Sequence, residues 1–287
     1  MSPHLAAPPG WGWYVVLYFF FGGISGGAYA LGTMLRLWGD RRDESAARLA
    51  FVISFLVLLT CPVLLTLDLG RPVRFWHMLF DSRTMAINFK YWSPMSVGAW
   101  ALAIFGVFAT GSFLAAWRPD GPIGRLLRGG FGRLFTIVGS GLGLFIAGYT
   151  GVLLSVSNEP VWSDTWALGG LFLASALSAA AAAIMLVALR RQAGQGSQAA
   201  MSVAKLSEAD RYFIILELVL LAVFFLTLGA VASRVLAGGW VLLWLLVLAG
   251  TVGALLVHRS SPLLAPTLVL VGNLALRTVV VFSAQIR

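Results

Sequence analysis

Residues 211–233 read RYFIILELVLLAVFFLTLGAVAS, and only two of these side chains, Arg211 and Glu217, are charged. A helix that crosses the hydrocarbon core of a bilayer needs about 20 mostly apolar residues. This stretch is therefore long and apolar enough to span a membrane. Seven further stretches share this character, and the eight lie at about 11–36, 48–68, 92–117, 133–156, 163–189, 211–233, 239–258 and 262–282. We predict an all-α, polytopic membrane protein with eight transmembrane helices.

The composition of the protein also points to a membrane. Of its 287 residues, 59% are hydrophobic and 11% charged, whereas soluble domains carry about 25% charged residues. This excludes a soluble globule, a disordered chain and a coiled coil. We expect no nucleic-acid binding, because a net charge of +9 is typical of the basic loops of a membrane protein. Residues 1–10 contain no Lys or Arg, which argues against a cleavable signal peptide.

The residues that bind metals are scarce. Cys61 is the single cysteine, and the three histidines, His4, His77 and His258, all lie away from the middle of an apolar stretch. This excludes a thiolate zinc site and an iron–sulfur cluster bound by this protein alone. A haem between two helices would need histidines at bilayer depth. We therefore expect no haem or metal in this protein.

The basic residues are divided unevenly between the two sides. Thirteen lie in the loops after spans 1, 3, 5 and 7: Arg36, Arg41, Arg42, Arg48, Arg118, Arg125, Arg128, Arg133, Arg190, Arg191, Lys205, Arg211 and Arg259. Six lie on the other side: Arg71, Arg74, Arg83, Lys90, Arg234 and Arg287. Because cytoplasmic loops carry an excess of Lys and Arg, we predict that both termini lie outside the cytoplasm.

We treat residues 1–287 as a single integral membrane domain. The polar segment 190–210 is rich in Gly, Ser and Ala, and we interpret it as a flexible loop. It separates a four-helix bundle within residues 11–156 from a supporting bundle, helices 5–8, within residues 163–282. Glycines four residues apart in FFFGGISGGAYALG, residues 19–32, are expected to pack helix 1 closely against its neighbours.

Ionisable groups at membrane depth are costly and are candidates for function. Glu217 is either a proton acceptor reached from the cytoplasm or an interfacial carboxylate satisfied by water or Arg211. Arg277 either pairs inside the bundle or extends toward the outer surface. We consider both residues as parts of a proton route.

Asp68 ends the second span, within LDLGRPVRFWHML, residues 67–79. Gly70 permits a tight turn and Pro72 stops the helix. One interpretation is structural, in which Asp68 pairs with Arg71 or Arg74. The other is that Asp68 exchanges protons beside a redox cofactor.

Several aromatic and polar residues are expected at one depth near the outer surface. A pocket with such walls suits a quinone ring and its isoprenoid tail, and a tyrosine hydroxyl can donate a hydrogen bond to a carbonyl. An ordinary interfacial aromatic is the alternative for Tyr149. The residues are Trp13, Tyr14, Tyr18, Asp68, Trp92 and Tyr149.

The loop after span 2 would lie above this pocket. It carries basic residues on the side where few are expected, together with residue types that are enriched at protein interfaces. We interpret it as a docking surface for an electron-transfer partner. The residues are Arg71, Arg74, Phe75, Trp76 and Met78.

The segment LDLGRPVRFWHMLFDSRTMAINFKYWSPMSVGAW, residues 67–100, resembles the signature of the NrfD/PsrC family, the membrane subunits of polysulfide reductase and related complexes. Residues 19–32 are similar to family patterns, as are AGYTGVLLS at 147–155, PVW at 160–162 and GNLALRTVVVFSAQ at 272–285. The resemblance thus covers helices 1 to 4 and helix 8.

This resemblance implies an eight-helix subunit of the bacterial inner (cytoplasmic) membrane, without haem, that binds a quinone near the outer face. It implies an iron–sulfur partner with four clusters on that face, and often a molybdopterin enzyme beyond it. Tyr149 matches the helix 4 tyrosine that contacts the quinone, and Asp68 and Arg71 match the signature loop. Some family members use a helix 1 histidine, which is absent here; either another residue, such as Tyr18, replaces it or the quinone is held differently.

We therefore expect a membrane anchor that passes electrons between the quinone pool, menaquinone or ubiquinone, and an iron–sulfur subunit. Proton translocation through Glu217 and Arg277 is a further possibility. The alternative is an ion or solute transporter, which would show midplane charges and interrupted helices at matching positions in two halves.

Overall fold

A computed structural model describes residues 9–81, 86–191, 198–258 and 260–285. In these ranges eight helices are long and apolar enough to cross a membrane, which confirms the predicted number. They are α1 (Trp13–Trp38), α2 (Arg41–Asp68), α3 (Pro94–Trp117), α4 (Gly130–Ser155), α5 (Leu168–Arg191), α6 (Gln198–Leu228), α7 (Trp240–Val257) and α8 (Leu264–Gln285). His4, Arg83, Arg259 and Arg287 lie outside the described residues.

Two faces of the bundle are distinguished below. The N-terminal face is the side on which α1 begins and α2 and α8 end. The basic face is the opposite side, where α1 ends and α6 begins. On the basic face, Lys205 of α6 pairs with Asp40 at 2.8 Å and Asp43 at 2.7 Å. Ser202 also donates to Asp43 at 2.7 Å, so the α1–α2 turn is fastened to the start of α6.

Helix α1 is the centre of the bundle. In the 18-residue apolar stretch of α1, 89% is buried. The helix packs against α2, α4, α5 and α8. A Cβ atom on Gly26 would overlap the Gly143 carbonyl oxygen of α4. One on Gly27 would lie 2.8 Å from the Ala176 carbonyl oxygen of α5. The glycine pairs therefore bring helix backbones together, as predicted.

The remaining contacts follow chain order. Helices α1 to α4 contact one another in sequence, and α4 returns to α1. Helix α5 packs against α1, α4, α6 and α8, and α7 packs against α8. Helices α1 and α5 each contact helices of both groups of four, so the two groups are packed together. Separate roles for the two groups stay a prediction.

Two spanning helices are irregular. In α2 the regular helix ends at Leu58 and resumes at Thr60, next to Pro62, which has no N–H to donate to residue 58 and crowds its carbonyl. In α7 a π-helical turn occupies Ala249–Gly253. There a Cβ atom on Gly250 would overlap the Cα atom of Gly272 in α8, so this turn makes a close backbone crossing.

The expectation of a flexible loop over residues 190–210 is wrong for its second part. Helix α6 begins at Gln198, while residues 192–197 lie outside the described part. Ser202, Leu206 and Asp210 are each 2% exposed and are spaced four apart, so this segment is an amphipathic helix with a buried face. Its length places Glu217 about 28 Å along α6.

Candidate functional site

The α2–α3 loop forms the surface of the N-terminal face above α2. Gly70 has a φ of +64°, which permits the turn out of α2, and a 3₁₀ helix follows over Pro72–Met78. Arg71 and Arg74 are exposed and Trp76 is half-buried. A hollow of about 580 Å³ is lined by Leu69, Gly70, Arg71, Arg74, His77 and Met78. The loop therefore presents positive charge beside an open depression.

Hydrogen bonds fasten this loop to the start of α3. The Asn88 side-chain nitrogen donates to the His77 carbonyl at 3.1 Å. The Trp100 indole nitrogen donates to the Asn88 carbonyl at 3.3 Å. Ser96 accepts from the Lys90 backbone nitrogen at 3.0 Å. The described parts of the loop on either side of residues 82–85 are thus bonded to each other and to the start of α3.

Tyr149 of α4 is 8% exposed. Its hydroxyl donates a hydrogen bond to the Pro94 carbonyl oxygen at the start of α3. Its ring stacks on Phe145 with centroids 5.4 Å apart. On the other side lies Gly98, where a Cβ atom would come within 2.5 Å of the ring. In this structure the donor predicted to bind a quinone carbonyl is bonded to protein.

Tyr18 of α1 is 4% exposed and lies close enough to Tyr149 and to the Cys61 thiol for electrostatic interaction. Gly22, one turn further along α1, faces Tyr18, Ile146 and Cys61, with distances from a built Cβ of 3.6 to 3.8 Å. The structure therefore buries Tyr18 at the contact between α1, α2 and α4, and Tyr149 lies one turn of α4 beyond Ile146.

Asp68 and Trp92 lie outside that core. Asp68 is exposed, and among the described ion pairs none joins it to Arg71 or Arg74. Trp92 is 68% exposed and packs edge-on against Tyr91 with centroids 4.9 Å apart. These two residues are located at the rim of the N-terminal face rather than beside Tyr149.

An apolar groove of about 780 Å³ runs between α2 and α3. It begins at Leu69 and Met78, which also line the basic hollow, and ends near Leu126 on the basic face. Along α3 it extends from Ala99 to Leu114, a distance of about 22 Å at the rise of an α-helix. Neither Tyr18 nor Tyr149 lines the hollow or the groove. One turn of α3, at Gly98, separates the groove from Tyr149.

Arg277 of α8 is completely buried and directs its guanidinium into the bundle. It donates to the Phe19 carbonyl at 3.4 Å, to the Phe172 carbonyl at 3.3 Å and to the Asn273 side-chain oxygen. It also lies 5.0 Å from the Phe172 ring centroid. Asn273 in turn donates to the Ser175 carbonyl at 2.7 Å. Arg277 therefore joins α8 to α1 and α5.

Glu217 of α6 is 2% exposed. No hydrogen bond or ion pair within 4 Å joins its carboxylate to another described residue, although Arg277 is close enough for electrostatic attraction. The Arg211 guanidinium instead lies over the Tyr212 ring at 5.3 Å. Arg211 therefore does not satisfy Glu217, whose side chain is buried in the bundle, and its depth in the membrane stays a prediction.

Sequence reasoning missed Asp210. It is 2% exposed, and its carboxylate accepts a hydrogen bond from the Ser178 hydroxyl of α5 at 2.6 Å. An apolar count starts span 6 at residue 211 and so leaves Asp210 in the preceding loop. The spacing of Asp210 and Glu217, two helical turns apart, is the signal that could have found it.

Within the described ranges, no three His, Cys, Asp or Glu side chains lie close enough together to hold a metal ion. The polar groups that the structure gathers are instead hydroxyl, carboxyl and guanidinium groups inside a helix bundle. They can bind and move protons and form hydrogen bonds to a carbonyl.

The comparison with protein families is decisive. The family model described as "Polysulphide reductase, NrfD" matches residues 2–287. The chain belongs to the NrfD family. With its eight spanning helices, this NrfD protein is an integral membrane protein.

Three curated relatives are similar in sequence to this protein over different shares of their length. The C subunit of selenate reductase from Mesobacillus selenatarsenatis is 30% identical over 34% of this protein and 21% of its own length. The C polypeptide of polysulfide reductase from Wolinella succinogenes is 30% identical over 62% and 58%. Protein NrfD of Escherichia coli is 26% identical over 96% and 95%. The protein thus spans less than two thirds of the first two relatives and nearly all of the third.

Proposed function

We propose that this NrfD protein exchanges electrons between membrane quinone and an iron–sulfur partner. The observation that carries the proposal is that Tyr18 and Tyr149 are buried on the neighbouring helices α1 and α4, with Tyr149 bonded to the start of α3, where the basic loop ends. Phenol groups in an aromatic and aliphatic setting provide the few polar contacts that orient a quinone ring. Family membership supports the same assignment.

The quinone would enter from the lipid along the apolar groove. The groove is long enough to hold an isoprenoid tail, and it is lined by Ala99 and Leu102, which follow Gly98 by one and four residues. At Gly98 the wall between the groove and Tyr149 has no side chain. A quinone carbonyl would take over the hydrogen bond that Tyr149 now gives to Pro94. At the rim, Trp92 would contact the ring during entry, and the Asp68 carboxyl group would exchange protons with it.

Reduction of a quinone consumes two electrons and two protons, and oxidation of the quinol releases them. This protein would contribute the binding site, the hydrogen bonds and a proton route through Glu217 and Arg277. The electrons would come from or go to clusters in the partner subunit. We infer that the bound quinone is either menaquinone or ubiquinone, because the described contacts favour neither of them.

Arg71, Arg74 and Trp76 would form the docking surface for the partner, an iron–sulfur subunit with four clusters. Charge on an exposed and well-fixed loop steers a partner of opposite charge. A molybdopterin subunit would complete the complex and act on the terminal substrate. In this arrangement the N-terminal face lies outside the bacterial inner membrane and the basic face lies in the cytoplasm.

The transporter alternative is less well supported. Interrupted helices do occur, in α2 and α7, but they are the second helix of the first half and the third helix of the second half. A repeat-based transporter places such breaks at corresponding positions.

The proposal is tested with the purified complex in detergent. Electrons supplied to the iron–sulfur partner should reduce added ubiquinone or menaquinone analogues, and the reduction should require this NrfD protein. A partner that is fully reduced but never reoxidised by either quinone would contradict the proposal.

A further inference from the structure

A polar stripe follows one side of α6. Ser207, Asp210 and Glu217 are separated by three and seven residues, which places them on one face of the helix. We call these three residues the α6 stripe. The face points toward α5, α7 and α8, because its members contact or approach Ser178, His258 and Arg277.

The stripe is accessible at the basic face. Ser207 is half-buried, and its hydroxyl lies 2.6 Å from the His258 imidazole nitrogen Nε2 near the end of α7. Both groups can accept and donate protons or hydrogen bonds. A proton from the basic face therefore meets hydrogen-bonding groups as soon as it enters the bundle.

Asp210 has no structural ion pair to explain it. It lies one helical turn above Ser207, is 2% exposed, and is bonded to the neutral Ser178 hydroxyl. No described Lys or Arg lies within 4 Å of its carboxylate. Placing a carboxylate in the membrane without a cation is costly, so a role in proton exchange explains its position better than packing does.

Glu217 lies about 10 Å further along α6. Among the described residues, none forms a hydrogen bond or ion pair with its carboxyl oxygens, although the side chain is 2% exposed. Between the two acids lies Ile214, which is 1% exposed.

The far end of the stripe reaches the proposed quinone site. Arg277, which attracts Glu217, donates to the carbonyl oxygen of Phe19. Phe19 directly follows Tyr18, and Tyr18 and Tyr149 are both buried. The stripe approaches Arg277, and Arg277 bonds to the α1 backbone beside Tyr18.

We propose that the α6 stripe carries protons from the basic face to the quinone site, with Asp210 as the intermediate acid. This rests on the proposed quinone function. The Asp210 carboxylate binds a proton from water, becomes a carboxylic acid, and returns to the carboxylate when the proton passes to Glu217. Two such protons, with two electrons from the partner, convert one quinone to one quinol.

The same geometry excludes larger cargo. Ile214 is 1% exposed and fills the helix face between the two acids. A proton can pass such a constriction through transient water or side-chain movement. A hydrated metal ion or an organic solute would need an open channel.

The test uses the whole complex in lipid vesicles with a pH dye inside. A membrane-impermeant reduced dye outside supplies electrons only to complexes whose partner faces outward, so the basic face of each active complex faces the lumen. Quinone reduction should remove about two protons from the lumen per quinone. A lumen whose pH does not change while quinone is reduced would overturn the proposal.

Variants locate the path. In Asp210→Asn, the rate of proton uptake from the lumen should fall roughly tenfold or more. The control is Glu208→Gln, which changes an exposed acid two residues away on α6 and should behave as wild type. If Asp210→Asn does not assemble, Ser178→Ala removes only the hydrogen bond and should lower uptake about threefold. Unchanged uptake in either assembled variant would overturn the proposal. Absence of any quinone reduction by the wild-type complex would instead reject the quinone function itself.

Discussion

The Tyr149 hydroxyl is the group on which the proposed chemistry depends most. It is buried, and its only described hydrogen bond goes to the Pro94 carbonyl. Exchanging this acceptor for a quinone carbonyl costs little, because one hydrogen bond replaces another. Tyr149 is therefore able to bind the ring without leaving a buried donor unsatisfied.

Replacing Tyr149 with Phe keeps the ring and removes the donor. We expect the quinone reaction of the complex to slow about tenfold, in line with a lost hydrogen bond of about 1 to 2 kcal/mol, while assembly is unchanged. The exposed Tyr91→Phe serves as the control. Steady-state kinetics with a quinone analogue check this, and an unaltered rate in Tyr149→Phe would remove Tyr149 from the site.

Single residues also show where sequence reasoning ends. Tyr18 and Tyr149 could be placed at the same depth by counting residues from the ends of their spans. The Pro94 acceptor, by contrast, depends on how α3 packs on α4 at Gly98, and no spacing reports that contact. Asp210 could not be found in this way, because α6 begins in a polar segment before the apolar stretch. A count of apolar residues therefore places the start of the helix too late in the sequence.

At the scale of helices, the glycines of α1 determine the packing. Gly26 faces the backbone of Gly143 so closely that any side chain would displace α4. The spans could be predicted from the sequence, because the thickness of the bilayer sets the length of a spanning helix. The close contacts could be predicted because, without a hydrophobic effect between helices in lipid, small residues mark the places where helices pack. The break in α2 and the π turn in α7 are local irregularities that apolar length does not report.

Gly26→Ala should therefore lower the thermal stability of the purified protein. Overpacking of a tight contact costs roughly 1–3 kcal/mol, and a fall in melting temperature of several degrees is expected. Gly141→Ala is the matched control, because a Cβ atom there meets nothing within 4 Å. Equal melting temperatures of the two variants would show that the α1–α4 crossing is looser than described.

The α2–α3 loop makes a second prediction at this scale. Changing Arg71 and Arg74 together to Glu should release the iron–sulfur partner, since like charges across an interface repel. Arg125→Glu on the basic face, also exposed, should retain it. Co-purification of the subunits measures this, and full retention by the double variant would move the docking surface elsewhere.

For the whole molecule, the distribution of charge predicts its orientation. We expect the N-terminal face outside the cytoplasm, because the basic residues are concentrated on the other face. In cells, a membrane-impermeant thiol reagent should label Ser163→Cys, between α4 and α5 on the N-terminal face, and leave Asp120→Cys unlabelled. Both positions are exposed, and the native Cys61 is buried. Labelling of Asp120→Cys alone would invert the orientation and place the proposed docking loop in the cytoplasm.

The central claim is that a quinone ring binds between Tyr18 and Tyr149, reached from the groove across Gly98. Photolabelling of the complex with an azido-quinone, followed by peptide mapping, tests it most directly. We predict label within the first turns of α3 near Gly98 and around Tyr149 in α4, and loss of that label when excess natural quinone is added. Competed label confined to α6 and α7, or no competed label at all, would contradict the account.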